Sequence, residues 1–378
     1  MRVLMIEHFS QGNNYSIELC DKLSSKVDLT VLTMDKGNME KNDKYVVKKK
    51  LCGFGNGKSI SKVLKYIFSL IITIKEIIIG DYDIVHIQTF RNSRVEIGIY
   101  RMLKPFIKNL IYTAHNILPH EMTKRDTDVF NNIYKISDRI IVHNNVSKEL
   151  LCNTFKVNEQ KVFVIPHGTY DGYLNNKEFK GVDFKHGNKK TILFFGLIRE
   201  YKGVDILLDA IEKLPLEYRE KVNFIIAGNN TKNIDYRRII EKKKIENLIH
   251  LDLRFIQDSE VGNFFMNADA CILPYRNIYG SGALLLAYTF NKPVIVSSIP
   301  SFVEETENGK TGYIFESENS DSLVKCLEKY LDSSDCEIKN KIGEIKLLVK
   351  EKYNWEVSSK LTYNIYYECI KRSNINEA

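Results

Sequence analysis

Arg199 and Lys202 stand three residues apart in FFGLIREYKGVDILLDAI (194–211). A strand-like run ends at Gly196, a short loop carries the two cations, and Gly203 opens an amphipathic helix. Val204, Ile206, Leu207 and Ala210 of that helix are spaced for burial on one face. Backbone N–H groups, the helix dipole and two side-chain charges therefore converge at the carboxyl end of a strand, which suits a phosphate or diphosphate. Arg forks onto phosphate oxygens and Lys adds a compact charge. A second turn, YGSG (279–282), follows ADACILPYRN and opens ALLLAYTF. The N–H groups of Gly280, Ser281 and Gly282, with Tyr279 beside them, suit a phosphate or sugar hydroxyls. Taken alone, the turn reads as the start of a buried helix.

The stretch YTAHNILPHE (112–121) puts His115 and Asn116 at the end of a buried strand, with His120 and Glu121 in the loop beyond Pro119. A histidine at such a strand end titrates or donates to a ligand. It serves equally well as a structural histidine on a backbone carbonyl. His86, His143 and His167 also fall near strand ends and read as structural. Four motif-like stretches fail on inspection. LCGFGNGKS (51–59) has Cys52 where a phosphate-binding G-x-x-x-x-G-K-S loop needs glycine. His120-Glu121 lacks the second histidine of H-E-x-x-H, which Lys124 replaces. The D-x-D pairs Asp81–Asp83 and Asp126–Asp128 read as solvated turn residues.

The elements that must position these groups recur along the whole chain. Short apolar runs at 2–7, 27–33, 83–88, 109–116, 138–144 and 161–168 alternate with helical segments, as do runs at 190–196, 223–229, 248–253, 268–274 and 292–298. Strand–helix alternation of this kind predicts parallel sheets and an α/β fold. The polar stretch DGYLNNKEFKGVDFKHGNKK (171–190) breaks the pattern and marks a boundary. Two doubly wound, Rossmann-like domains facing each other are expected, with ligands at the carboxyl ends of strands in a cleft between them.

Composition narrows the class. At 378 residues, with 44% hydrophobic and 27% charged residues, the chain is an ordinary globular protein long enough for two cores. Its 7 cysteines include no C-x-x-C pair, against a disulfide framework or a zinc site. The apolar stretch VLKYIFSLIITIKEIII (63–79) contains Lys65, Lys75 and Glu76 and is no transmembrane helix. The net charge of +7 is uneven: residues 1–185 carry 28 Lys+Arg against 20 Asp+Glu, the remainder 27 against 28. Lys48, Lys49, Lys50, Lys58, Lys62 and Lys65 lead into the apolar stretch. A basic segment beside an amphipathic helix fits an anionic membrane surface; a solvated loop and a packed helix fit equally. No nucleic-acid motif is present, and no nucleic-acid partner is expected.

Together these stretches resemble the family 4-type (group 1) glycosyltransferases of GT-B fold, of the kind found in bacterial polysaccharide assembly. The resemblance is carried by FFGLIREYKGVDILLDAI, FIIAGN, NADACILP, NKPVIVSS and NGKTGYIF (308–315) in the second half, and by YTAHNILPHE and VIPHG in the first. It implies an N-terminal acceptor-binding domain over 1–175 completed by a C-terminal helix at about 357–378 that crosses back. It implies a nucleotide-sugar-binding domain over 188–356. Arg199 and Lys202 would hold and stabilise the donor diphosphate, with Gly196 and the 279–282 turn beside them. His115 would stand near the transferred sugar, Gly12 near the donor phosphates, and Asn116, His120 and Glu121 on the acceptor side. The chain departs from the family's E-x7-E pair, whose positions fall on Ile278 and Leu286. Donor sugar and retention or inversion of configuration are therefore left open.

The implied activity is a metal-independent, cofactor-free glycosyl or hexosyl transfer (EC 2.4 class) from a nucleotide-diphosphate sugar co-substrate. The implied acceptor is a lipid-linked glycan of capsule, exopolysaccharide or O-antigen synthesis, met in the cytoplasm or peripherally at the inner membrane face. A nucleotide-sugar epimerase on the same fold and a catalytically degenerate scaffold are the alternatives.

Overall fold

A computed structural model describes residues 1–8, 14–35, 39–40, 42–52, 60–90, 93–118, 124–175, 189–232 and 234–377. Gly12, Lys58, His120 and Glu121 lie outside the described residues. The chain divides into two compact units, Met1–His167 with Asn354–Ala378, and Gly168–Tyr353.

The first unit is built on seven parallel strands: β1 (Arg2–Glu7), β2 (Asp28–Met34), β3 (Val46–Leu51), β4 (Ile84–Ile87), β5 (Leu110–Thr113), β6 (Arg139–Val142) and β7 (Val162–Val164). Their order is β3-β2-β1-β4-β5-β6-β7. In β1 every residue after Arg2 is buried, and β4, β5 and β6 are buried throughout. Such unbroken apolar runs are what strands covered on both faces require. The lysine run 48–50, which reads as loop, is part of edge strand β3. Val47 and Leu51 are buried, while Lys48 and Lys49 between them are half-buried and Lys50 is exposed. Lysines on an edge also discourage pairing with a further strand.

The C-terminal helix Trp355–Glu377 belongs to this unit. Trp355, Ile365, Tyr366 and Cys369 join the core of Met5, Leu19 and Val31. The Tyr366 hydroxyl meets His86 Nδ1 at 2.5 Å, and Ser358 Oγ donates to the Pro166 carbonyl at 2.6 Å.

The second unit has six parallel strands: β8 (Lys190–Phe195), β9 (Val222–Ala227), β10 (Ile249–Asp252), β11 (Ala270–Leu273), β12 (Val294–Ser297) and β13 (Gly312–Phe315). Their order is β10-β9-β8-β11-β12-β13. The unit begins at Gly168, because Thr169 N–H donates to the Tyr353 carbonyl (2.9 Å) and Tyr170 N–H to Thr289 Oγ1 (2.9 Å). In both sheets the strand order reverses beside the first strand, between β1 and β4 and between β8 and β11. Open sheets of this kind bind ligands at the carboxyl ends of the strands flanking that reversal.

Candidate active site

The second unit places Gly196, Arg199 and Lys202 at the carboxyl end of β8, next to the reversal. Beyond Phe195 the chain stays alongside the continuation of β9: Gly196 N–H donates to the Ala227 carbonyl and Ile198 N–H to the Asn229 carbonyl. Arg199 then opens a 3-10 turn, Glu200–Lys202, and Gly203 closes it at φ +66° and starts the helix Val204–Lys213. The Lys202 ammonium lies 5.0 Å from the centroid of the Tyr275 ring, just beyond β11. It also stands 3.1 Å from where a Cβ on Gly196 would be, and the φ of +115° at Gly196 favours glycine there. Burial, and secondarily the Arg199 charge, hold the Lys202 pKa below the ordinary lysine value.

Neither Arg199 nor Lys202 forms an ion pair among the described residues. Neighbouring arginines differ. Arg276 grips Asp205 at 2.6 Å and Glu318 at 3.1 Å, and Arg254 grips Glu260 at 2.6 Å and Asp252 at 3.1 Å. Two cations without carboxylate partners at a strand end can hold an anion from outside.

The 279–282 turn begins the helix Gly282–Thr289. Its Ser281 hydroxyl is buried and accepts the Leu284 N–H at 3.3 Å, as an N-cap does. The serine side chain thus caps the helix, and the turn also offers a ligand its backbone. Among the described residues the Gly282 and Ala283 N–H groups have no acceptor, as is usual for a helix's first turn. Tyr279 and Gly280 are half-buried and Gly282 is exposed. Ile278 is buried in the core and Leu286 packs against it, so these two positions present no polar group. A carboxylate that sequence reasoning missed stands close by. Glu305 is buried, with Oε1 3.7 Å from where a Cβ on Gly280 would lie. Nothing in PSFVEE separates Glu305 from its neighbour Glu304 by pattern.

In the first unit His115 follows β5, and Asn116 beside it is exposed. The β5–β6 register pairs Thr113 with Ile141, which brings His115 level with His143. His143 Nδ1 lies 2.9 Å from the Ile165 carbonyl, which only accepts, so Nδ1 carries the proton. Burial lowers both imidazole pKa values, favouring neutral rings. His143 Nε2 is then bare and accepts a hydrogen bond from His115 Nδ1–H at 3.0 Å. His115 Nε2 remains an acceptor, 3.2 Å from Gln88 Oε1. Two acceptors repel, so the neutral relay is satisfied with the Gln88 amide turned to present its NH2. Both ring nitrogens of His115 are thus engaged within the unit, and a neutral His115 so held is poorly suited to act as an acid. His167 sits between the rings of Tyr15 (4.8 Å) and Trp355 (5.2 Å).

His86 sets a pH limit on this unit. Burial pushes its pKa down to about 3. Between about 3 and its ordinary 6.5 the unfolded chain binds the proton and the folded one does not. Stability is therefore fully present above about 6.5 and is lost as pH falls, at up to roughly 1.4 kcal/mol per pH unit for this group. Urea midpoints at pH 7.5 and 5.5 should show the loss, and His86→Gln should reduce the slope.

Two parallel sheets, each reversing its order beside the first strand, are the architecture of GT-B glycosyltransferases. Sequence models of Glycosyltransferase Family 4 and of Glycosyl transferases group 1 match residues 12–170 and 175–346. The chain belongs to this glycosyltransferase family. An uncharacterized glycosyltransferase of Methanocaldococcus jannaschii is 23% identical over 309 residues, 76% of each chain. The GDP-mannose:glycolipid 4-beta-D-mannosyltransferase of Xanthomonas campestris pv. campestris is 26% identical over 208 residues, 54% of this chain and 55% of the relative. The solved structure of Anabaena HepE in complex with UDP superposes with a TM-score of 0.74 at 14% identity, over 97% of this chain and 100% of its own.

Proposed function

We propose that the protein transfers a glycosyl group from a nucleotide-diphosphate sugar to a lipid-linked glycan in the assembly of a bacterial surface polysaccharide. The observation that carries this is the pair Arg199 and Lys202 at the end of β8, without carboxylate partners among the described residues. As the bond from the sugar's anomeric carbon to the diphosphate breaks, its electron pair goes to the phosphate oxygen. Fixed cations and helix N–H groups stabilise that charge more in the transition state than before. The acceptor oxygen bonds to the anomeric carbon, and its proton passes to the departing diphosphate oxygen that has gained the electron pair. The turn at 279–282 orients the donor through its backbone, and His115 stands near the transferred sugar or the acceptor. In this reading the two cations and the helix terminus carry the charge without a metal, and the donor is the only co-substrate. The glycolipid specificity of the Xanthomonas relative and the UDP held by HepE support the acceptor and donor classes. The protein works peripherally at the inner face of the membrane, where such acceptors lie.

Apolar Ile278 and Leu286 favour a second reading, a non-catalytic scaffold. The test is product analysis after incubation with UDP-, GDP- and dTDP-sugars and a polyprenyl-diphosphate-linked glycan. Nucleoside diphosphate released only in the presence of acceptor is the expected result. A changed sugar formed without acceptor would indicate an epimerase, and no product with any donor would favour the scaffold.

A further inference from the structure

The helix Ile60–Ile79 is built inside out. Its inward face carries Tyr66, Ser69, Thr73 and Ile77. The three polar side chains there are engaged. Tyr66 donates to Glu96 (2.9 Å), Ser69 accepts from Cys52 N–H (2.8 Å), and Thr73 donates to the Ser69 carbonyl (3.0 Å). At 3.6 residues per turn, Ile60, Leu64, Ile67, Phe68, Ile71 and Ile78 fall on the opposite face. Their exposure runs from 45% to 80%. A water-facing surface helix shows the reverse pattern, and a contiguous exposed apolar strip along ~30 Å of helix marks a binding surface.

The strip is bordered by cations. Lys65 and Lys75 are exposed on the same helix, and Lys50 on neighbouring β3. Between helix and strand lies a cavity of about 670 Å³, with Lys48, Lys49, Lys50 and Lys75 in its wall beside Phe68 and Ile79. Asp35 and Glu76 also line it, and Glu76 is engaged by Lys48 (2.5 Å) and the Tyr82 hydroxyl (2.6 Å). Among the described residues no helix is long and apolar enough to cross a membrane.

We propose that the outer face of this helix lies flat in the interface of an anionic bilayer, with the lysine-lined cavity receiving a lipid phosphate headgroup. An amphipathic helix with flanking lysines binds such a surface through apolar burial and charge together. A second copy is the poorer occupant. Two copies meeting face to face would set lysines against lysines, whereas an anionic bilayer presents the opposite charge. The inference names the element behind the peripheral attachment proposed above, and its test needs no sugar donor.

The test is flotation of the full chain with phosphatidylcholine vesicles, with and without phosphatidylglycerol. Flotation with the anionic vesicles, weakening as salt is added, is expected. Ile67→Gln/Ile71→Gln should lower the partition coefficient at least about tenfold. Lys50→Glu/Lys75→Glu should lower it roughly fivefold per lysine or more. All four side chains are exposed, so thermal melts should match the wild type. Three results would each overturn the inference: no flotation at low salt, equal flotation of the apolar variant, or a wild-type dimer that this variant dissociates. Inorganic phosphate should compete only through ionic strength; displacement beyond that would reassign the cavity to a soluble phosphate. Nucleotide-sugar binding by the same preparation, read by calorimetry, is a separate outcome, so lost flotation with binding retained counts against this surface alone.

Discussion

Arg199→Ala should lower turnover by roughly 10²–10³-fold with the fold intact. The guanidinium touches no carboxylate among the described residues, so its removal strands no buried charge. The stability change should stay within about 0.5 kcal/mol, as for an ordinary surface substitution. Arg276→Ala is the contrasting case, because it would release Asp205 and Glu318 from their partner. A cation aimed at charge that develops on the leaving diphosphate acts mainly in the transition state. The loss should therefore fall on kcat at least as much as on KM. Lys202→Ala should behave alike, with added loss of packing on Tyr275. A drop below about tenfold for Arg199→Ala would contradict the role given to it, since one preorganised donor is worth more than that.

Gly203→Ala should destabilise the second unit by roughly 2–4 kcal/mol. Gly203 has φ +66°, and a Cβ there would stand 1.9 Å from the Pro274 carbonyl oxygen. The obstacle is backbone, so no rotamer relieves it. Either the 199–203 loop or the chain after β11 must move, and both carry the site: Lys202 precedes Gly203, and Tyr275 follows Pro274. Diphosphate affinity should fall with stability. Gly343→Ala is the matched control. It lies within the helix Asp335–Glu351 with nothing within 4 Å of the added Cβ, and should stabilise by roughly 0.5–1 kcal/mol. Urea midpoints compare the two. Equal midpoints would mean that the loop and Pro274 do not approach as closely as described.

Legibility in the sequence followed burial. Central strands such as β1, β4 and β8 show as unbroken apolar runs because both faces are covered. Edge strand β3 hides behind Lys48–Lys50, since an edge tolerates charge that a centre does not. GYIF of β13 is too short a run for periodicity to single out. The Arg199–Lys202 loop is legible because strand, cations, glycine and helix are contiguous. The histidine relay is not, because His115 and His143 come level only through the β5–β6 register. Ser281 is ambiguous for a local reason: the residue types that cradle anions also cap helices, and here the hydroxyl caps. Glu305 reaches the turn from another helix, which no local pattern shows.

The measurement that bears most directly on the proposed diphosphate site is a calorimetric titration with UDP-, GDP-, dTDP- and CMP-linked sugars, beside an Arg199→Ala/Lys202→Ala control. Binding of one nucleotide class, abolished in a control that melts like the wild type, is the expected result. Equal binding by the control, or no binding of any class by the folded wild type, would contradict it.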